Sequence, residues 1–544
     1  MAVEAPPVDL AVEAAPPPRR PSRSRPPAGL AVAGAAVAVA ALLPLGYLLV
    51  RASDAGLDGV VDILTGPRAG GLLLRSALLA LTVTASCVAI AVPIAWLTTR
   101  SDLPGRAAGA VVASLPLVVP SYIAAYALVS ASGPGGLLVE WLEPLGVTSV
   151  PRVEGLFGAW LVLTLVSYPY VLLPARAALA GADPSVEEAS RALGRGPWAT
   201  FWRITLPQLR PAVGAGALLV MLYTLSDFGA VSLVRYDTFT RAIFVEYQSS
   251  FDRTPAAVLA LMLVGLCAVV LVAEARTRGR GAYHRVHGSA ERRAQPVGLG
   301  RWRWVAVGAM SGVVVVALVL PLTIVGVWFG RGLSQGQGLD VSWAAAQRSL
   351  EASALGALAT VVLAWPVAHL AARYPGRFSG TVERASWLTH ALPGVVVALS
   401  LVFFGSRAVP AVYQTRTLLV LAYVVLFLPL AVGSLDTSLR QVSPSLEEAS
   451  RSLGAGRFET FRRVLLPLVR PGVAAGLALT FLTVMKELPA TLLLAPTGYT
   501  TLATEIWNAS AEAFFARAAA PALLLVLLSS VPLAVLVTRQ SRRT

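Results

Sequence analysis

The chain of 544 residues has only two cysteines, Cys87 and Cys267, and both lie inside apolar runs. Two cysteines are too few for a disulfide framework, and they lack the spacing of a zinc ligand set. We therefore expect small buried side chains packed among helices and no metal site. His284 and His287 stand three residues apart, but without a Cys, an Asp or a third His nearby they do not indicate a metal site either.

Lysine is almost absent, because Lys486 is the only one and arginine supplies the rest of the positive charge. A phosphate-binding P-loop needs a lysine followed by Ser or Thr, whereas Lys486 precedes Glu487. The sequence also lacks an HExxH motif, a nucleophile elbow and a recognisable pair of catalytic carboxylates. We therefore predict that the protein is not an enzyme, has no catalytic residues and has no cofactor of its own.

Charged residues make up only 13% of the chain and hydrophobic residues 56%, which excludes an ordinary soluble domain. The net charge of +15 is dispersed as short clusters between apolar runs, a pattern typical of topology signals rather than of a nucleic-acid surface. Runs of about 20 residues can each cross a bilayer as a helix. We predict an all-α polytopic membrane protein with about twelve such helices, six per half, at 29–50, 72–99, 107–130, 156–177, 212–234, 256–275, 303–329, 349–372, 385–406, 417–436, 473–495 and 518–538.

The placement of arginine predicts the topology, since basic loops remain on the cytoplasmic side. Most arginines fall inside when both termini are cytoplasmic. On this basis residues 1–28 form a disordered cytoplasmic tail, rich in Pro, Ala and Arg, and residues 276–302 a basic cytoplasmic linker. The linker separates a first half, 29–275, from a second half, 303–544.

One segment occurs twice, at residues 184–211 and 444–471, with a constant offset of 260 residues. Each copy begins with a proline and the S-x-x-E spacing of a capping box, Ser185 with Glu188 and Ser445 with Glu448. A short helix should end at Gly194 or Gly454, where a positive φ lets the chain turn. A second amphipathic piece should then end at Leu-Pro. We call each segment a knuckle, and predict that it lies across the inner end of a membrane bundle.

Six predicted spans separate the knuckles, so both face the same side and the two halves are parallel repeats. The repeat extends upstream of the knuckle, because Pro93 aligns with Pro366, each within a span. A proline at that depth should kink the helix.

The knuckles resemble the EAA signature, E-A-A-x3-G-x9-I-x-L-P, of permease subunits of ATP-binding-cassette (ABC) importers. The residues that carry the resemblance are Glu188, Ala189, Gly194, Ile204, Leu206 and Pro207 in the first copy, and Glu448, Ala449, Gly454, Val464, Leu466 and Pro467 in the second. Serine replaces the second alanine in both copies, at Ser190 and Ser450, and Val464 replaces isoleucine.

The resemblance implies a type I importer fold, with the knuckles as coupling helices that dock on an ATPase. It further implies two copies of a separate ATPase subunit carrying ATP and Mg²⁺, an extracytoplasmic substrate-binding protein, and residence in the lipid bilayer of a bacterial inner membrane. ATP hydrolysis then takes place outside this chain.

The segments after the knuckles, 225–247 and 484–507, together with the duplicated single-chain layout, resemble fused permeases of ferric-iron importers. Permeases for thiamine share this layout, and those for phosphonates, polyamines and molybdate share the knuckle. A secondary transporter driven by an ion gradient is the alternative from another class, but it would be expected to carry more intramembrane ionisable residues.

Asp227 and Glu487 occupy equivalent positions of the repeat, and Lys486 is the counterpart of Ser226. Ionisable side chains at this depth are costly and indicate a translocation pathway or gate. The alternative is that the acids cap or tether the outer helix ends, with Lys486 bonded to one of them. Arg235, Arg241 and Arg253 are candidates for docking an acidic binding protein, or ordinary solvated loop charges.

Overall fold

The computed structural model describes residues 26–133, 135–249, 253–277, 296–336 and 340–541, with side chains omitted at 275, 277, 340–342 and 531–541. The predicted tail lies almost wholly outside the described residues, and so do His284 and His287 in the linker. Within the described residues the secondary structure is helical apart from one isolated bridge between Ser101 and Val297.

The first half has fourteen α-helices within the described range. They are α1 (Ala28–Ser53), α2 (Gly56–Thr65), α3 (Pro67–Arg100), α4 (Arg106–Val112), α5 (Ser121–Ser132), α6 (Leu137–Leu142), α7 (Gly155–Ser167), α8 (Pro169–Ala180), α9 (Ser185–Ala192), α10 (Pro197–Thr200), α11 (Leu206–Ser226), α12 (Gly229–Leu233), α13 (Phe239–Ser249) and α14 (Thr254–Thr277).

The second half has twelve α-helices in the described residues. They are α15 (Trp302–Val314), α16 (Leu320–Ser334), α17 (Asp340–Arg373), α18 (Arg377–Leu388), α19 (Gly394–Arg407), α20 (Arg416–Gln441), α21 (Pro444–Ser452), α22 (Arg457–Thr460), α23 (Leu466–Met485), α24 (Pro489–Leu494), α25 (Leu502–Ala511) and α26 (Phe515–Ser541).

Each of the twelve predicted apolar runs is occupied by helix, which confirms the polytopic all-α fold. In the described chain nine helices are long and apolar enough to cross a membrane, and two further runs are bent helix pairs. The last run is α26. Pro93 and Pro366 lie inside α3 and α17, which continue through them as helices of 34 residues each.

The runs 107–130 and 385–406 are not the straight helices that hydropathy predicts, because they bend by 87° and 108°. The bends fall at Val119-Pro120 and Leu392-Pro393, where Val119 (ψ 118°) and Leu392 (ψ 119°) are extended. A proline disfavours the α conformation of the residue before it, so both helices break at the same point of the repeat.

The first helix of each half packs against the other half. Helix α1 contacts α17, α18 and α19 of the second half, and α16, which completes the first span of the second half, contacts α5 of the first half. Ser400 donates a hydrogen bond of 2.7 Å to the Pro44 carbonyl, and the Trp328 indole donates one of 3.1 Å to Ser130. These reciprocal contacts bind the two halves into one bundle and leave the knuckles at its periphery.

Candidate coupling site and helix breaks

The two knuckles have the same backbone path. In each, a short helix, α9 or α21, ends in a tight turn at Gly194 (φ +80°) or Gly454 (φ +88°). L-residues with a side chain rarely adopt this left-handed conformation. The predicted turn glycines are therefore confirmed.

The predicted capping boxes are wrong. Ser185 is the first residue of α9, and Pro184 stands at the N-cap, while Ser443 is the N-cap of α21, and neither helix has a side-chain cap. Instead Asp183 accepts the Ser185 amide at 2.9 Å, and the Ser443 and Ser445 hydroxyls bond at 2.7 Å. The S-x-x-E spacing thus falls inside each helix rather than across its start.

The second piece of each knuckle does not end at Leu-Pro, as predicted, but continues into the membrane span. One helical segment runs from Pro197 to Ser226 and another from Arg457 to Met485. Each contains a π-helical turn, Phe201–Thr205 or Phe461–Leu465, directly before the Leu-Pro pair. Proline has no N–H and displaces the carbonyl one turn earlier, and the wider π turn accommodates that mismatch.

A hydroxyl pair joins the two pieces of each knuckle. Ser190 lies 3.0 Å from the Thr200 hydroxyl, and Ser450 lies 3.1 Å from that of Thr460. The serines that depart from the EAA signature therefore bridge the glycine turn in both copies.

A buried ion pair ties each knuckle to the end of a membrane helix, and sequence reasoning missed it. The Arg100 guanidinium lies 3.3 Å from Glu187, and that of Arg373 lies 2.7 Å from Glu447, with all four side chains at most 10% exposed. The same arginines also donate to the carbonyls of Ala182 (3.4 Å) and Val442 (3.0 Å). The knuckles are thus anchored by Glu187 and Glu447, each of which directly precedes the glutamate of the EAA signature.

The signature residues themselves lie toward the surface of the knuckles. Ala189, Gly194, Ala449, Gly454, Glu448 and Pro467 are exposed, and Glu188, Ile204, Leu206, Pro207, Val464 and Leu466 are half-buried. Large apolar side chains stand beside them in both copies, with Leu193 80% and Leu453 88% exposed, and Trp198 72% and Phe458 74%. Each knuckle therefore presents an apolar ridge that nothing in the described chain covers.

Asp227 and Glu487 lie where the spans after the knuckles break. Asp227 accepts the amides of Ala230 (3.0 Å) and Val231 (3.2 Å) at the start of α12, and Glu487 accepts that of Ala490 (3.1 Å) in α24. Both carboxylates thus cap a short helix, and the predicted spans 212–234 and 473–495 end at Ser226 and Met485. A direct role in translocation stays a prediction.

Each acid lies beside the bend of another broken helix of its own half. In both halves the size of the acid is complementary to that of the residue it faces at the bend. The Ser121 hydroxyl, just after Pro120, donates to Asp227. Gly394 follows Pro393 at the equivalent position, and a Cβ there would lie only 2.7 Å from Glu487 Oε1. A short acid faces a serine in one half, and a longer acid faces a glycine in the other.

Lys486 does not bond to either acid in the described structure, contrary to that part of the prediction. Its ammonium donates at 3.0 Å to the Leu117 carbonyl, in the turn just before the break of the opposite half. Lys486 therefore links the two helix breaks across the halves.

The outer arginines differ in their surroundings. Arg241 pairs with Asp237, which also lies 3.5 Å from Arg75, while Arg235 has φ +57°. Arg253 stacks 4.6 Å over the Tyr247 ring and lines a pocket. A role of these three arginines in docking a binding protein stays a prediction.

Known proteins are similar to this chain along most of its length. The family model described as "Binding-protein-dependent transport system inner membrane component" matches residues 91–277 and again 356–544, so that each match contains one knuckle. The Fe(3+)-transport system permease protein FbpB 2 of Haemophilus influenzae is 36% identical over 512 residues, which cover 93% of this chain and 97% of that protein.

Two further relatives cover less. The ferric transport system permease protein FbpB of Actinobacillus pleuropneumoniae is 25% identical over 70% of this chain and 58% of its own length. The molybdenum transport system permease protein ModB of Escherichia coli is 32% identical over 36% of this chain and 90% of its own length. The chain therefore belongs to the family of binding-protein-dependent transport system inner membrane components, as a fused permease of the ABC importer class with two copies of the family domain.

Proposed function

We propose that this permease moves iron(III) into the cytoplasm, driven by ATP hydrolysis in two copies of a separate ATPase docked beneath the knuckles. An extracytoplasmic binding protein delivers the substrate, and both termini of the permease are cytoplasmic. The observation that carries the proposal is the repeated knuckle, with the same glycine turn, buried anchor and apolar ridge in both halves.

The exposed ridges support docking of a protein partner. Leu193 with Trp198 and Leu453 with Phe458 flank the glycine turns and are each more than 70% exposed. Exposed apolar patches of this kind mark interaction sites. Because both copies keep the ridge, two identical ATPase subunits could each bind one knuckle.

The buried anchors supply a route for force. The Arg100–Glu187 pair joins the first knuckle to the end of α3, and Arg373–Glu447 joins the second to the end of α17. Breaking a buried ion pair costs about 3–5 kcal/mol, so a knuckle moves together with its membrane helix. ATP then shifts the bundle between inward-open and outward-open states to the extent that the closed ATPase dimer favours one of them.

The choice of iron rests on which relatives match the whole chain. The relative that aligns over 97% of its own length is named for Fe(3+) transport. The molybdenum permease aligns with about a third of the chain. Molybdate, thiamine, phosphonates and polyamines are the alternative substrates.

Uptake in proteoliposomes tests the proposal. The permease, reconstituted with its ATPase and binding protein, should accumulate radiolabelled iron(III) when ATP is supplied on the ATPase side, and should do so in the presence of ionophores. Uptake abolished by ionophores and indifferent to ATP would identify a secondary transporter. ATP-dependent uptake of molybdate or thiamine, but not of iron, would overturn the substrate and leave the class standing.

A further inference from the structure

A polar pocket of about 400 Å³ lies beside the C-terminal ends of α1, α13 and α19, and in the proposed topology this is the membrane side opposite the knuckles. Helix α11 crosses the bilayer once from the first knuckle, and the chain that follows it supplies part of the lining. Among the described residues the lining consists of Arg51, Gln248, Ser249, Arg253, Phe403, Ser406 and Arg407. We call it the arginine pocket. It joins the halves, because Arg51 and Arg253 belong to the first and Arg407 to the second.

The described lining carries three guanidinium groups and no acidic side chain. Asp54 at the rim lies 2.5 Å from Arg51 and 3.6 Å from Arg407, so that among the described residues three guanidinium groups stand against one carboxylate. The Arg51 side chain is 13% exposed and that of Arg407 58%, so the pocket has a covered floor and an open mouth. Planar guanidinium donors match the oxygens of a phosphate group.

Apolar side chains that face outward adjoin this polar pocket. Leu49 and Val50, directly before Arg51, are 56% and 60% exposed, and Val245 lies one helical turn before Ser249 and is 43% exposed. The ligand that suits such a surface has a charged phosphate end and a hydrocarbon end. A phospholipid at the membrane boundary has both.

The other half has a corresponding pocket without this charge. Ser130 and Gly133 stand 273 residues before Phe403 and Ser406, as Pro93 stands before Pro366. They line a pocket of about 240 Å³ in which Arg152 and Glu154 carry opposite charges. Equivalent residues of the two halves therefore line two pockets, and of their described linings only that of the arginine pocket has an excess of positive charge.

We propose that the arginine pocket binds the phosphodiester headgroup of an anionic phospholipid, with an acyl chain lying along the side chains of Leu49, Val50 and Val245. A bound lipid would bridge α1 of the first half and α19 of the second half at the outer surface.

The experiment uses the full-length permease in nanodiscs of phosphatidylcholine with increasing phosphatidylglycerol. The readouts are thermal stability and the number of phosphatidylglycerol molecules retained in native mass spectrometry. The test variant is Arg253→Gln/Arg407→Gln, and Arg152→Gln/Arg235→Gln removes the same charge outside the pocket. Arg253→Lys/Arg407→Lys keeps the charge and checks that the pocket still folds.

Phosphatidylglycerol should stabilise the wild-type and control proteins and leave one lipid bound. Each basic group near an anionic lipid contributes about fivefold in affinity. The test variant should therefore need roughly 25-fold more lipid than the wild type for the same stabilisation. The lysine variant should need less lipid than the test variant. Equal lipid dependence in test and control variants would overturn the proposal. Stabilisation of the wild type by inorganic phosphate alone, without a phosphatidylglycerol effect, would also overturn it in favour of a free-anion site.

Discussion

The packing at the helix breaks can be tested quantitatively by exchanging side-chain sizes between the two halves. The pairs concerned are Gly394–Glu487 and Ser121–Asp227. In Gly394→Ser the new Cβ would lie 2.7 Å from Glu487 Oε1 and 3.1 Å from Pro489 Cγ. Oε1 accepts the Ala490 amide at 3.1 Å, and Ala490 is fully buried. The carboxylate has to move, and we expect its bond to the Ala490 amide to be lost.

The expected cost follows from the bond that breaks. Loss of a capping interaction costs about 1 kcal/mol, and a buried amide left without a partner costs about 1–3 kcal/mol. The Gly394→Ser variant should therefore lose about 2 kcal/mol of unfolding free energy, measured by denaturant titration in mixed micelles. Glu487→Asp should lose less, about 1 kcal/mol, because it removes one methylene group.

The double variant Gly394→Ser/Glu487→Asp recreates the serine–aspartate pair of the first half. It should recover most of the loss, with a coupling energy of about 1–2 kcal/mol in the double-mutant cycle. The reciprocal exchange, Ser121→Gly/Asp227→Glu, is the matched control and should also be tolerated better than either single change. Strict additivity in both cycles would refute the argument that the two pairs are complementary in size.

Three further predictions concern single side chains. Arg373→Gln should destabilise the protein more than Arg100→Gln by about 1 kcal/mol in the same titration. The reason is that Glu187 keeps a hydrogen bond of 3.2 Å from the Thr205 hydroxyl, whereas the equivalent residue of the second knuckle, Leu465, has no hydroxyl. Equal losses would contradict this. Lys486→Met should lower the free energy of unfolding by about 1–2 kcal/mol and Lys486→Arg by less, because only the first removes every donor to the Leu117 carbonyl. Two variants of equal stability would rule out this bond as a contributor. Burial raises the pKa of the Glu505 carboxyl, although Arg348 opposes the shift. The folded state therefore favours the protonated form, and stability falls as pH rises above the ordinary carboxyl range. Glu505→Gln should stabilise the protein at neutral pH but not in acid, and a gain independent of pH would exclude titration as its cause.

The sequence predicted the spans and the glycine turns because both have local causes. Hydropathy measures the cost of removing a segment from water, and a glycine between two short amphipathic helices indicates a left-handed turn. Hydropathy contains no information on the direction of a helix axis, so it could not predict the bends at Pro120 and Pro393. Two prolines at the same position of the repeat were the signal that could have found them.

The buried anchors and the helix-break contacts depend on distant parts of the chain. Arg373 and Glu447 are 74 residues apart, and Lys486 and Leu117 are 369 apart. No local pattern indicates such a pair. The ion pairs of the anchors could have been predicted from the duplication, because the arginine and the glutamate recur at equivalent positions of both halves.

Coupling through the knuckles is the central claim, and backbone strain at their turns tests it most directly. The matched variants are Gly194→Val/Gly454→Val and Gly196→Val/Gly456→Val. All four glycines are exposed, and no atom of the described residues lies within 4 Å of an added Cβ. Gly196 (φ −65°) and Gly456 (φ −68°), however, already have extended backbones that valine accepts. A partner would meet the added side chains in both variants, and only the first pair strains the turn.

The decisive measurement is the number of substrate molecules transported per ATP hydrolysed in proteoliposomes. We expect Gly194→Val/Gly454→Val to abolish transport while ATP hydrolysis continues, and Gly196→Val/Gly456→Val to keep a ratio near that of the wild type. An unchanged ratio in the strained variant would contradict the claim that the knuckles transmit ATPase closure to the membrane bundle.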